Sequence, residues 1–128
     1  MERIGFIGLG IMGAPMVGHL LKAGYPVSTT IHRKPPPKEL LDQGLNVLGS
    51  AVEVARASAV IITMLPDTPQ VGEVLFGENG VASGLERGKL VIDMSSISPI
   101  TTRDYAQRVQ ALGCDYLDAP VSGGEVGA

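Results

Sequence analysis

The 128-residue sequence has no Trp, only two Phe and three Tyr, and a single Cys. One cysteine, Cys114, excludes an intramolecular disulfide and a cysteine-built metal site, and it suits a reducing compartment. Charge is also sparse. Ten Lys and Arg against thirteen Asp and Glu leave a formal charge of −3 and a pI near 5.3. No general basic field exists to draw in nucleic acid or an anionic membrane, so an anion must be captured locally. No apolar run reaches the roughly 18 residues of a spanning helix. The greasy start from Ile4 to Val17 is broken by Gly5, Gly8, Gly10 and Gly13 and lacks a small cleavable site after it, so a secretory signal is not expected. A soluble, cytoplasmic chain is expected, with neither nucleic acid nor membrane as a partner.

What is present is a substantial apolar content, 45% of residues. That fraction, with little net charge, excludes a disordered chain, and at this length folding buries roughly two-thirds of the unfolded surface. The 17 Gly and 9 Pro show no collagen period and no low-complexity tract, so they read as punctuation between elements.

Short apolar runs alternate with amphipathic stretches. Strands are predicted at Ile4 to Gly8, Tyr25 to Ile31, Leu45 to Leu48, Ala59 to Met64, Leu90 to Met94 and Asp115 to Asp118. Gly13, Met16, Val17, Leu20 and Leu21 share one face of a first helix that Gly24 should end. The run Pro35 to Pro37 forbids helix, after which Lys38 to Gln43 can form a short one. Ser50 and Glu53 have capping-box spacing for a helix to about Ala57. Thr68 and Pro69 read as cap and first turn of a helix with Val71, Val74 and Leu75 inward. Gly77 to Gly88 is an open connection with room for one helical turn. Ser98 and Pro99 should cap a helix burying Tyr105, Ala106, Val109 and Leu112. Six strands separated by helices, with near-continuous apolar runs in the first, fourth and fifth, predict an α/β fold. The expected form is a doubly wound, mostly parallel sheet covered on both faces.

Gly8, Leu9, Gly10, Ile11, Met12 and Gly13 place a G-x-G-x-x-G spacing between the first strand and the first helix, the context that gives it meaning. The first glycine permits a tight turn, the second lets a pyrophosphate approach the backbone, and the third lets helix pack on strand. A helix N-terminus then faces the phosphates. A dinucleotide is the expected ligand. About twenty residues on, where a carboxylate would hold the adenosine ribose of NAD, the sequence has His32, Arg33 and Lys34. No acidic side chain is there to repel a 2′-phosphate, and Arg33 can pair with one or stack on adenine, which favours NADP(H) over NAD(H). A solvated basic loop leading into the prolines is the alternative.

Met64, Leu65 and Pro66 leave the fourth strand and Met94, Ser95 and Ser96 leave the fifth, both at the edge where an open parallel sheet binds ligands. Ser95 and Ser96 serve equally well as ordinary cap residues. Asp118, Ala119, Pro120, Val121, Ser122, Gly123 and Gly124 reach the same edge, and Ser122 with the backbone of Gly123 and Gly124 can hold a small carboxylate. His19 reads as a partly exposed structural residue and Cys114 as a filler. Met12, Met16, Met64 and Met94 suit core or cofactor-lining packing. No second ligand type supports a metal site, and Asp93 and Asp118 end strands without assignable acid and base roles.

Taken in order, the glycine motif through Met16, Met64 to Pro66, Asp93 to Ser96 and Asp118 to Gly124 resemble the β-hydroxyacid dehydrogenases over the whole chain. The resemblance implies an NAD(P)-dependent oxidoreductase in which Leu9 to Met12 and Met64 to Pro66 contact cofactor. It also implies Ser96 near the nicotinamide ribose and Ser122 to Gly124 on the substrate carboxylate. Within the family, Gly77 to Gly80 and Asp93 to Pro99 imply reduction of 2-hydroxy-3-oxopropanoate to glycerate. Other short hydroxy acids or semialdehydes, such as 3-hydroxyisobutyrate or glyoxylate, are alternatives, as are an imine reductase, a 6-phosphogluconate dehydrogenase and a stand-alone dinucleotide-binding module without catalysis.

Family members are more than twice this long. Their catalytic lysine lies in a later glycine-rich helix motif, and an all-helical domain then closes the site and joins subunits. The four lysines here, 22, 34, 38 and 89, lie in no such motif. Residues 1–128 are therefore expected to be a dinucleotide-binding domain, incomplete at its C-terminal end, with no catalytic residue of its own. The whole protein is expected to be a homo-oligomer, and His32 departs from the Asn or Asp common beside the arginine.

Overall fold

Near-continuous apolar runs in the first, fourth and fifth strands set the architecture. A computed structural model of the chain describes residues 2–10, 12–31 and 35–120. Its elements run β1 (Ile4–Ile7), α1 (Gly13–Lys22), β2 (Val27–Thr30), α2 (Lys38–Asp42), β3 (Asn46–Leu48), α3 (Ala51–Ala57), β4 (Val60–Thr63), α4 (Thr68–Phe76), a 3₁₀ turn (Val81–Gly84), β5 (Leu90–Asp93), α5 (Pro99–Gln110) and β6 (Asp115–Asp118). The six strands form one sheet in the order β3-β2-β1-β4-β5-β6, and every pairing is parallel. This is the doubly wound order, with its topological switch between β1 and β4.

Successive residues of a strand point to opposite faces, and the chain builds a separate core on each. Ile4, Phe6 and Ile62 pack with Val17 of α1, Leu40 of α2, Val27 and Leu45. Ile7, Ile61 and Val91 pack on the other face with Val54, Val71, Leu75, Tyr105 and Val109 of α3, α4 and α5. Both faces are covered as expected, with thinner cover on the first face at β5 and β6. Val91 is buried but Leu90 and Ile92 are only partly so, and Leu117 is 52% exposed. The first face is filled over β1 and β2 by α1 and α2, which do not reach that far across.

Local signals mostly act as their chemistry requires. Gly24 ends α1 at φ +93°, and the Tyr25 N–H donates to the Leu20 carbonyl at 3.1 Å, closing a Schellman-type cap. The Ser50 hydroxyl accepts from the Glu53 N–H at 3.4 Å at the start of α3. Two caps differ from expectation. Asp67, not Thr68, caps α4, its carboxylate accepting from the Gln70 N–H at 3.3 Å, because a carboxylate one residue earlier reaches the third amide of the helix. Ser98 makes no side-chain cap bond; its own N–H donates instead to the Thr68 hydroxyl at 3.2 Å, joining the starts of α4 and α5. Leu112 lies just past α5 and is 43% exposed, so only Tyr105 and Val109 of the predicted face are buried in the core. Among the described residues no helix is long and apolar enough to cross a membrane.

Candidate functional site

Parallel pairing brings the carboxyl ends of the strands to one edge. Ile7 pairs with Thr63, Thr63 with Asp93 and Asp93 with Asp118, so four strands end level with one another. The sheet pairing runs on past them: the Met64 N–H donates to Ile7, the Met94 N–H to Thr63 and the Ala119 N–H to Asp93, at 2.8–2.9 Å. The loops that follow form the crevice at the switch point between β1 and β4.

The three glycines of the first loop differ in their surroundings. Gly8 has φ +113°, and a Cβ there would run into the carbonyl oxygen of Met64. Gly13 begins α1, and a Cβ there would overlap the carbonyl of Gly8 and come within 3.1 Å of the Phe6 ring. Gly10 is exposed, and a Cβ there would meet nothing within 4 Å. Two glycines are thus required by the protein's own packing, and the third leaves open space at the mouth of the loop.

That space lies beside the N-terminus of α1. The cap position is Met12, which offers no side-chain acceptor, and the first turn carries no acidic residue. The Ala14 N–H donates to the Gly10 carbonyl at 3.0 Å and Pro15 has no N–H, so it is the positive end of the helix dipole that is left for a ligand anion. His19 and Lys22 in the last turn complement the opposite end. A pyrophosphate fits this cradle by charge and by the room above Gly10.

Leu9 is partly buried, and Met64 and Met94 pack against the same core as Phe6 and Val17. Leu65 is buried, while Pro66 and Ser96 are exposed on the edge. Leu9, Gly10, Met12, Met64 to Pro66 and Ser96 are therefore brought to one edge from three separate strand ends. Ile11, His32, Arg33 and Lys34 lie outside the described residues, as do Ser122, Gly123 and Gly124.

Behind the exposed loops is a polar cluster that reading the sequence did not assemble. Asp93 is fully buried. Its Oδ1 accepts from the Thr63 hydroxyl at 2.9 Å and from the Ser95 N–H at 3.0 Å, and Oδ2 accepts from the Tyr116 hydroxyl at 3.3 Å. Ser95 is no helix cap: it is 2% exposed, and its hydroxyl accepts from the Leu65 N–H at 2.7 Å. The signal available in the sequence was a polar residue closing each of two apolar strands, Thr63 and Asp93. Burial pushes the Tyr116 phenol well above its ordinary pKa, with the Asp93 charge and hydrogen bond adding to the shift.

His19 is an exposed residue of α1. Cys114 is buried and donates to the Glu86 carbonyl at 3.0 Å, as a filler in the turn before β6. Among the described residues no group of three or more His, Cys, Asp or Glu is placed to hold a metal ion.

Residues 3–128 match the family described as the NAD-binding domain of 6-phosphogluconate dehydrogenase. The chain is 54% identical over 126 residues to 2-hydroxy-3-oxopropionate reductase of Escherichia coli, covering 98% of this chain and 43% of that protein. Its fold superposes on 3-hydroxyisobutyrate dehydrogenase of Mycobacterium tuberculosis, solved with L-serine, at TM-score 0.89 and 36% identity, over 100% of this chain and 43% of the other. It also superposes on Psf3 in complex with NADP+ and 2-OPP at TM-score 0.90 and 32% identity, over 98% and 44% respectively. The chain thus spans about two-fifths of the length of these relatives.

Proposed function

Since this chain belongs to the family of the NAD-binding domain of 6-phosphogluconate dehydrogenase, as one of its β-hydroxyacid dehydrogenase members, we propose that its carboxyl-edge crevice holds NADP(H) for a semialdehyde reductase. The observation that carries this reading is the asymmetry of the glycine loop, closed at Gly8 and Gly13 and open at Gly10 beside the uncapped start of α1. Leu9 to Gly13 would hold the pyrophosphate through backbone amides. Met64 to Pro66 would wall the nicotinamide half, with Ser96 at its ribose. When bound, the nicotinamide supplies or accepts the hydride.

The phosphorylated cofactor is favoured by His32, Arg33 and Lys34, where no carboxylate stands to repel a 2′-phosphate. The NADP+ bound to Psf3 supports the same preference. We assign the whole protein the reduction of 2-hydroxy-3-oxopropanoate to glycerate, as in tartronate semialdehyde reductase, supported by the 54% identity to the Escherichia coli enzyme. In this reading Ser122, Gly123 and Gly124 bind the substrate carboxylate, and a proton donor outside these 128 residues protonates the new alkoxide. The whole protein would act in the cytoplasm as a homo-oligomer.

Fluorescence titration of the chain with NADPH and NADH tests the cofactor reading. NADPH should bind more tightly, and Arg33→Ala should narrow the gap; equal affinities in the parent chain overturn the preference, and no binding of either overturns the site. Turnover is tested separately. The 128-residue chain should show none with cofactor and tartronate semialdehyde, because loss of a positioned acid alone forfeits on the order of 10²–10⁴ in rate. Robust activity would place the donor within this sequence.

A further inference from the structure

We propose that Asp93 is a positioning residue that sets the nicotinamide half of the crevice without touching the ligand. The inference rests on the dinucleotide reading of that crevice. A fully buried carboxylate is costly unless its oxygens are satisfied, and apolar side chains of similar volume usually serve stability as well or better. Asp93 lies where such a side chain would be expected, beside Val91 on the inward face of β5. Two of its three hydrogen bonds run to residues where strands give way to loops, and the third crosses to the neighbouring strand β6. Thr63 is the last residue of β4, Ser95 lies two residues past β5, and Tyr116 belongs to β6.

The consequence is a relay of fixed geometry. Asp93 holds the Ser95 backbone, and Ser95 in turn holds the Leu65 N–H at 2.7 Å. The loop after β4 and the loop after β5 are thereby locked to each other behind their exposed residues, Pro66 and Ser96. Tyr116 ties the same carboxylate to the strand that leads to residues 119–124. The glycine loop of β1 and α1 has no described hydrogen bond to this cluster; it meets the loop after β4 where Gly8 packs on Met64 and Leu65, and the tie from that loop to the one after β5 is left to the Asp93 cluster. The adenosine half depends on packing at Gly8 and Gly13, and the nicotinamide half depends on Asp93.

Comparing a whole dinucleotide with its nicotinamide-free counterpart separates positioning from general stability. The parent chain, Ser95→Ala, Asp93→Ala and Asp93→Asn would be titrated by calorimetry with NADPH and with 2′-phospho-ADP, which lacks both the nicotinamide and its ribose. If the parent chain prefers NADH, then NADH and ADP would be used instead. Ser95→Ala and Asp93→Ala should each weaken the whole dinucleotide about tenfold, the scale of one lost buried hydrogen bond. Affinity for the nicotinamide-free ligand should stay within about twofold. Asp93→Asn, which keeps an acceptor for Thr63 and Ser95, should retain affinity within about threefold. Should Asp93→Ala fail to fold, Ser95→Ala decides, since it removes one bond and little volume. Parallel weakening of both ligands, or of neither, overturns the inference. Failure of the parent chain to bind any dinucleotide would instead overturn the functional reading beneath it.

Discussion

The carbonyl of Gly8 occupies the space that a side chain on Gly13 would need, so the first turn of α1 packs directly on the end of β1. Gly10, between them, faces open space. The two positions should therefore respond oppositely to substitution. Gly13→Ala should lower stability by about 1–3 kcal/mol through overpacking, read as a lower urea midpoint. Gly10→Val should leave the midpoint unchanged while weakening dinucleotide binding at least tenfold, to about the level expected when the close backbone approach is blocked. Equal destabilisation by both would show that the open space at Gly10 is not a ligand site.

Gly72 lies in α4 against Tyr105 of α5, and a Cβ there would overlap the tyrosine hydroxyl. The Tyr105 ring also packs tilted against Phe76, with centroids 5.2 Å apart, and its hydroxyl donates to the Thr68 carbonyl at 3.4 Å. Gly72→Ala should destabilise by about 1–3 kcal/mol even though alanine is the better helix former. Because the clash is with the hydroxyl, Tyr105→Phe should recover part of the loss in the double variant. Thermal denaturation of the two single variants and the double variant measures this directly.

Lys89 donates to the carbonyls of Ala55 and Arg56 at 2.6 and 3.2 Å, placing a positive charge on the C-terminal end of α3. Lys89→Met keeps most of the stem and removes the charge. Stability should fall by about 1–2 kcal/mol, from lost charged hydrogen bonds and dipole compensation. Urea unfolding at constant ionic strength would show it, with dinucleotide affinity unchanged because α3 ends at the opposite edge of the sheet.

Tyr116 supplies a pH dependence with a defined sign. Its folded pKa is raised from 10.0, chiefly by burial and then by Asp93, so the folded state holds its proton more tightly than the unfolded chain does. The stabilisation is fully present below pH 10 and is lost as pH rises toward the folded value. Urea midpoints should be level from pH 7 to 9 and fall above about pH 10. Tyr116→Phe should be less stable at neutral pH by about 1 kcal/mol, from the lost hydrogen bond to Asp93, yet decline less steeply in alkali. Tyr105, also raised by burial, accounts for the slope that remains. A parallel alkaline fall in parent and variant would show that Tyr116 ionises freely.

Much of the architecture was legible from local pattern. Strand and helix runs separated by glycine and proline predicted six strands and their helices, because period and punctuation are properties of neighbouring residues. The glycine motif gained its meaning from strand before and helix after, again a local relationship. Cap identity was less legible. Asp67 and Thr68 are adjacent and both can cap, and only the path of the chain into α4 selects the carboxylate.

By itself the sequence determined the element order, the parallel doubly wound class and the place of the glycine loop, since each follows from residue spacing along the chain. Tertiary structure alone decided which glycine is open. That depends on Met64, Gly8 and Phe6 converging from β4 and β1, which no spacing within the motif records. It also decided that Asp93, Thr63, Ser95 and Tyr116 form one buried network. These residues come from three neighbouring strands, and parallel register, a long-range relationship, is what brings their polar atoms within hydrogen-bonding distance.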